Sequence, residues 1–402
     1  MSGLFPPLPG ETRKILNSLP RLIDEVFPLP ARFRSGLNRD VAELSRLLTF
    51  RRTDRSGSYL GKPALLSAYL RYFLPWNIYR LSRLFSALPL KLNPHDAVND
   101  LGAGPLTLAA SLWISRPELR KIPLEFRNLD RTAAVLEAGK KFFAALAAKT
   151  SGESACPWTL RTIKAELKKN GSLSAEIKGK PAALSAAINI YNEMFWDFSP
   201  HDTEKLESFA KNQARLLSSI TDSSGSALVV EPGIPRSGEF ISLLRSAFLQ
   251  LGRFPLSPCT HIAPCPMPAG YKPGEKKAAA AKARWCHFSF DTEDAPAELH
   301  KLSAAALIPK ERAVLSFFLA GQNEKPVQNS KQEGKPVKTR IISDCFPAGG
   351  FWGRYGCCER GLVLASGNRE RVESSSSGAL EELQLLNGAF DEKSGALIGR
   401  LE

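Results

Sequence analysis

From Asp96 onward the chain alternates short apolar runs with longer amphipathic stretches, and this alternation limits the possible folds more than any other feature. The apolar runs are AVNDLG (97–102), PLEFRNLD (123–130), PAALSAAINIY (181–191) and SALVVEPG (226–233). Between them lie the helical patterns RTAAVLEAGKKFFAALAAK (131–149) and HDTEKLESFAKNQARLLSSI (201–220). Strands joined by helical crossovers predict an α/β domain with a parallel sheet and a Rossmann-like architecture.

The regions around this core differ in composition. Residues 1–95 read as a basic helical region interrupted by Pro, and 96–254 as the Rossmann-like domain. A Cys-rich segment over 255–320 is expected to complete that domain, followed by a polar linker over 321–339 and a β-containing C-terminal part over 340–402. In that last part RIISDCF and RYGCCERGLVLAS read as two strands, whereas ALEELQLL after the Ser374–Ser377 run reads as a short helix.

No apolar run approaches the roughly 18 residues of a membrane span, so no membrane partner is expected. The first residues, MSGLFPPLPGETRKIL, lack a basic segment followed by an apolar stretch, which predicts no secretory signal and a cytoplasmic location, or an organelle matrix in a eukaryote. Seven cysteines in such a chain predict reduced thiols and no disulfide-linked partner. The net charge is +14, and residues 1–95 hold 15 Lys and Arg against 6 Asp and Glu, an excess of +9. A polyanion is the expected partner of such a surface, a solvated basic face being the plainer reading. Tyr69, Tyr72, Phe73, Trp76, Tyr79 and Phe85 interleave with Arg71, Arg80 and Arg83. Their helical spacing predicts a core face, with stacking on RNA as the alternative.

The segment from Asp100 to Thr107, DLGAGPLT, follows one candidate strand and precedes a helix. Gly102 and Gly104 would let the backbone pass close to a ligand, and Asp130, at the end of the next strand, is placed to accept hydrogen bonds from ribose hydroxyls. A phosphate-binding dinucleotide loop would want a third glycine where Leu106 stands, so S-adenosylmethionine (SAM) is expected ahead of NAD. An empty strand-to-helix turn, with Asp100 and Asp130 as capping acids, is the alternative. No catalytic base is evident. Asn192 and Glu193 follow the third of the listed runs and could meet substrate, or simply form a turn and helix cap.

Cys259 and Cys265 are separated by five residues, Cys286 follows after 20 more, and Cys357 lies beyond the polar stretch. Four thiolates suit either zinc or an iron–sulfur cluster. The absence of Cys-x-x-Cys counts against a zinc ribbon, while His261 and His287 keep a mixed zinc site open.

The segments LPWNIYRLSRLF, NDLGAGPLT, NLDRT, NIYNE, VVEPGIPRSGEFISLLR, CTHIAPCPM, WCHFSF and CCERG occur in an order that resembles the methyltransferase-like small-ribosomal-subunit assembly proteins, the mitochondrial ribosome assembly factor and its bacterial relatives. The resemblance spans about residues 65–365. It implies a class I SAM methyltransferase fold acting on small-subunit rRNA or the small ribosomal subunit, monomeric away from the ribosome. It further implies Asp100, Gly102, Gly104 and Asp130 as cofactor contacts, and a [4Fe–4S] cluster on Cys259, Cys265, Cys286 and Cys357. Cys357 is preferred to Cys358 for its spacing from Gly361. The sequence departs from the family at Met267 and Pro268, in a Lys/Ala insertion over 271–284, and at Leu106. A second reading of the same resemblance is a non-catalytic RNA-binding assembly protein that keeps the methyltransferase fold.

Overall fold

A computed structural model of the chain describes residues 3–49, 59–152, 155–199, 202–267, 285–322 and 336–401. The helical region comprises α1 (Gly10–Val26), α2 (Ala31–Arg34), α3 (Leu37–Thr49), α4 (Pro63–Ala68) and α5 (Leu74–Phe85), with a π turn at Tyr69–Phe73 joining the last two. The α/β part then runs β1 (Ala97–Leu101), α6 (Thr107–Ser115), β2 (Glu125–Asp130), α7 (Ala133–Thr150), β3 (Thr159–Lys164), β4 (Ala182–Ile188), α8 (Tyr191–Met194), α9 (Thr203–Ile220), β5 (Thr221–Pro232) and α10 (Pro235–Gln250). It closes with β6 (Phe254–Ser257), β7 (Phe288–Asp291), α11 (Ala297–Ala305) and β8 (Arg312–Gly321).

These strands make one sheet of order β3-β2-β1-β4-β5-β8-β6, with β7 also on β8. The five strands β1 to β5 are parallel, and β8 runs antiparallel between β5 and β6. Every residue of β1 is buried, as a central parallel strand covered on both faces requires. α6 is buried on all sides, because α5 packs over it and the sheet lies beneath; its TLAASLWIS sequence has no polar face to present. By contrast α9 is amphipathic, and the Asp202 side chain caps it by accepting from the Lys205 amide at 2.9 Å.

The helical region shares its apolar core with the α/β part. Tyr72, Trp76, Tyr79 and Phe85 are buried, so the core-face reading of this segment holds and RNA stacking on these rings does not. Two of the arginines are structural as well. Arg71 pairs with Asp24 at 3.0 Å, and Arg83 pairs with Asp294 at 2.8 Å while lying over the Phe290 ring.

The C-terminal part contains β9 (Val337–Ile341), β10 (Phe346–Pro347), β11 (Trp352–Cys358), β12 (Gly361–Gly367), α12 (Arg369–Ser374), β13 (Leu380–Phe390) and β14 (Leu397–Arg400). Its pairing closes on itself: β9 on β11, β11 on β12, β12 parallel to β14, β14 on β13, and β13 back on β9. Five strands in this Greek-key order, with a helix between the third and fourth, form the OB-fold barrel. Val337, Ile341, Cys358, Val363, Leu383 and Leu385 fill its interior. Outside, Tyr355, Leu362 and Leu364 of β11 and β12 join the apolar core of the main sheet. The broad face of these two strands is therefore a docking face onto β7 and β8, reinforced by the Arg312–Asp344 ion pair.

Three expectations need correction. The sheet has a fifth parallel strand, β3, which has no apolar run because it is an edge strand with every residue at least partly exposed. The polar stretch at 321–339 is narrower than its composition suggested: Gly321 closes β8, Val337–Thr339 open β9, and 323–335 lie outside the described residues, as does the 271–284 insertion. The ALEELQLL segment is strand, not helix, since Glu381, Leu383 and Leu385 alternate inward, the first two pairing to β9 and the third to β14. Tertiary pairing overrides the helix preference of Ala, Leu and Glu there. Among the described residues no helix is long and apolar enough to cross a membrane.

Candidate functional site

A cavity of about 760 Å³ opens where the parallel strands end. Its floor is the C-terminal edge of β1, β2, β4 and β5, and its roof is built by α3 and the α4–α5 helix pair. The π turn sets the roof residues: the extra residue in one turn displays Tyr69 and Phe73, stacked at 5.8 Å, toward the cavity.

Of the four predicted cofactor residues, Gly102, Gly104 and Asp130 line this cavity, and Asp100 lies behind the turn in a small pocket that also borders Gly102 and Gly104. Gly102 has φ +72° and Gly104 φ +54°, left-handed values that favour glycine. A Cβ on Gly102 would also stand 2.4 Å from Ile190 Cδ1, so the turn is closed against any side chain at that position. The Gly104 amide donates to Asp130 Oδ2 at 3.1 Å, and the Thr132 amide donates to Asp130 Oδ1 at 2.8 Å. Asp130 thus locks the turn while keeping lone pairs for a second acceptor role. Asp100 is buried, its Oδ2 has no hydrogen-bond partner among the described residues, and burial pushes its carboxyl up to about 8, with the Asp130 charge adding to the rise. Leu106 follows the turn at φ +57°, a left-handed value that costs a non-glycine residue roughly 1–2 kcal/mol. Its buried side chain packs against α7 at Gly139, where any Cβ would lie 2.7 Å from Leu106 Cγ.

Of the two candidate substrate residues, Asn192 donates its backbone amide to Glu231 Oε2 at 3.1 Å, beside the Tyr191 amide on Oε1 at 2.8 Å. The turn after β4 is therefore pinned by a carboxylate from β5. Burial pushes Glu231 up to about 8, against the lowering effect of those two amides. Asn192 and Glu193 both line the cavity.

Several residues of the site went unrecognised in the sequence: Tyr69, Asn77, Arg80 and Lys310, which line the cavity, and Glu231, which pins the turn bordering it. Arg80 donates to Asn189 Oδ1 at 2.9 Å, Asn77 Oδ1 at 3.2 Å and the Val314 carbonyl at 3.2 Å, and burial pushes it down to about 10. Lys310 Nζ lies 5.4 Å from the Trp76 ring centroid and 5.8 Å from that of Tyr72. The only available signal was Arg80 within LPWNIYR, where its neighbours read as core.

The four predicted cluster cysteines form a second centre, between sheet and barrel. Cys259 and Cys265 follow β6, Cys286 precedes β7, and Cys357 is on the docking face of β11. They are close enough that ionised Cys259, Cys265 and Cys286 would each raise the Cys357 thiol, on top of the dominant effect of burial. Cys358, one residue on, points into the barrel interior instead. Cys345 packs against the barrel core and Cys156 against the main core, apart from this group. His261 is buried with Nε2 3.2 Å from Cys357 Sγ. Among the described residues no three His, Cys, Asp or Glu side chains converge tightly enough for a single metal ion.

No protein-family profile matches this chain, and no curated protein matches it. Solved structures that this chain matches include a protein of Listeria monocytogenes described as a class I SAM-dependent methyltransferase, 10% identical over 80% of this chain and 90% of that one, with a TM-score of 0.32. Two others are a methyltransferase of calicheamicin biosynthesis with S-adenosylhomocysteine bound (14% identity, 74% and 73% of the two chains, TM-score 0.31) and the plantazolicin methyltransferase BpumL, also with S-adenosylhomocysteine (12% identity, 78% and 98%, TM-score 0.29). The fold assignment rests on strand order: five parallel strands in the order 3-2-1-4-5, an antiparallel strand beside the fifth, and a nucleotide-type turn after the first make a Rossmann-like sheet.

Proposed function

We propose that the chain binds SAM at the Gly102–Gly104 turn and acts on small-subunit rRNA or the small ribosomal subunit, as a methyltransferase or methyltransferase-like assembly factor. One observation carries the cofactor reading: a glycine turn locked by Asp130 sits beside a buried carboxylate, Asp100, whose Oδ2 lacks any partner among the described residues. A cofactor with a cationic amino group near the turn and a ribose near Asp130 would satisfy both groups. When bound, SAM supplies a methyl group on a positively charged sulfur, a good electrophile that needs orientation more than acid–base help. The chain's part is then to orient: Asp130 the ribose, Asp100 the amino group, and the pinned turn at Asn192 and Glu193 the acceptor.

The same reading gives Cys259, Cys265, Cys286 and Cys357 a [4Fe–4S] cluster. A cluster spreads its four thiolates over four irons, whereas a zinc ion needs all its ligands about 2.3 Å from one centre. What supports the cluster is that the four cysteines gather where sheet and barrel meet, close enough for Cys259, Cys265 and Cys286 each to act on the Cys357 thiol. The rRNA partner rests on the family resemblance and on the +9 excess in residues 1–95. Anaerobic purification with iron, zinc and SAM assays, followed by calorimetry with S-adenosylhomocysteine on the parent and Gly104→Val proteins, tests it. Binding lost in a folded Gly104→Val protein is expected. Equal affinity would remove the cofactor from this turn. Cofactor binding without methyl transfer to small-subunit rRNA would leave the assembly-factor role.

A further inference from the structure

We propose that Arg80 and Lys310 form an anion-binding subsite of the cavity, built for a phosphate or carboxylate group of a bound ligand. The two cations come from separate elements, α5 and the loop before β8, and meet beyond the ends of β4 and β5. Arg80 is held there by Asn189 and by the Val314 carbonyl of β8. Lys310 is held by the Trp76 and Tyr72 rings. Both line the same cavity wall.

Two like charges in a poorly hydrated place repel one another, and a fold keeps such a pair when a ligand supplies the counter-charge. Among the described residues neither cation forms an ion pair, and Arg80 Nε is buried without a hydrogen-bond partner. Of the acids around them, Glu231 is engaged by two backbone amides, with burial favouring its neutral form, and Glu193 acts on Tyr69 and Glu231. Asp197 is paired with Lys169 at 2.6 Å, and Asp130 ends β2, three strands away from β5. Burial, and then the charge of Arg80, push Lys310 down to about 8, as expected of an ammonium lacking a counter-ion.

The subsite stands on this geometry, and only the source of the anion rests on the proposed function. A nucleic-acid phosphate and the carboxylate of SAM share the required chemistry. The competing bland role for Lys310 is a cation–π staple of the roof.

Full-length protein is compared with Lys310→Met, which keeps the side-chain volume, and Lys310→Arg, which keeps the charge. The first measurement is thermal stabilisation by inorganic phosphate, expected to be lost in Lys310→Met and retained in Lys310→Arg. The free Lys310→Met protein should melt no lower than the parent, because a desolvated charge has been removed. For the carboxylate source, S-adenosylhomocysteine is compared with 5′-methylthioadenosine, which lacks the amino-acid portion. Their affinity ratio should fall about tenfold in Lys310→Met if the subsite holds that carboxylate. For the phosphate source, the salt slope of a single-stranded RNA 12-mer should fall by roughly 0.7. The proposal is overturned if phosphate stabilises Lys310→Met as well as it does the parent, or if Lys310→Met melts lower with both ligand comparisons unchanged. Should S-adenosylhomocysteine bind none of the proteins, the cofactor reading fails, and the phosphate measurement still decides the subsite.

Discussion

The cavity and the cysteine junction are both built from groups that the polypeptide leaves chemically unfinished, but they differ in what holds them in place. At the cavity Arg80 and Lys310, with Asp100 and Glu231 behind the turns that border it, are fixed by a continuous parallel sheet and the helices over it, so the site exists whether or not it is filled. At the junction Cys259, Cys265 and Cys286 belong to the sheet side and Cys357 to the barrel, so under the proposed cluster the bridging group would itself be part of what joins them. Loss of a cavity group should therefore change binding, and loss of a junction group should change folding.

The largest effect is expected at the junction. A Cys→Ser change at Cys259, Cys265, Cys286 or Cys357 should lower iron content and solubility together. Structural metal sites contribute on the order of 10 kcal/mol in zinc-finger peptides, so both segments should loosen. Cys358→Ser should keep its iron, since that thiol faces the barrel interior. Limited proteolysis and iron assay read the two outcomes. Iron lost from Cys358→Ser and kept in Cys357→Ser would mean that the barrel strand is offset by one residue, and with it every inward and outward assignment on β11.

A smaller effect is expected at the turn. Gly102→Val adds a Cβ that would stand 2.4 Å from Ile190 Cδ1, in a backbone conformation that valine disfavours. A cost of roughly 1–3 kcal/mol is expected from the backbone strain, with S-adenosylhomocysteine binding abolished and iron retained. Iron loss in this variant would show that the two centres are coupled, and the contrast between them would fail.

This contrast also explains what the sequence made legible. Four of the five parallel strands were readable because burial on both faces demands continuous apolar runs, which the edge strand β3 lacks, and the glycine turn was readable because only glycine serves there. Asp130 was readable from its place at the end of β2. The C-terminal part was legible as β structure but not as a barrel, because short strands buried on one face carry weak signals and β13 is written in helix-favouring residues. Arg80 and Lys310 lie 230 residues apart, and nothing local marks them as neighbours. Glu231 reads as the end of an apolar run until its two backbone partners are seen.

The finest test of the contrast is Asp100→Asn, which should strengthen the empty protein while weakening the site. The carboxyl of Asp100 is raised in the folded chain to about 8, from an ordinary value near 4, first by burial and then by the charge of Asp130. An acid raised in this way lowers stability. The penalty is absent below about pH 4, where the group is protonated in both states. It grows as pH rises through the window from 4 to 8, where the unfolded chain releases a proton that the folded chain retains, and it is constant above 8. Asn has the same shape and no charge to desolvate, so Asp100→Asn should raise the melting temperature at pH 7 by a few degrees, on the order of 1–3 kcal/mol. The gain should shrink toward zero as the buffer is taken down to pH 4. S-adenosylhomocysteine binding should fall in the same variant, because an amide cannot neutralise an ammonium group. A melting temperature raised at pH 7 with binding unchanged would leave Asp100 as a strained structural acid and remove it from the cofactor site. A melting temperature lowered at every pH would show that Asp100 is held by a partner it has in solution, and the cavity would then be no more open to a ligand than the junction is.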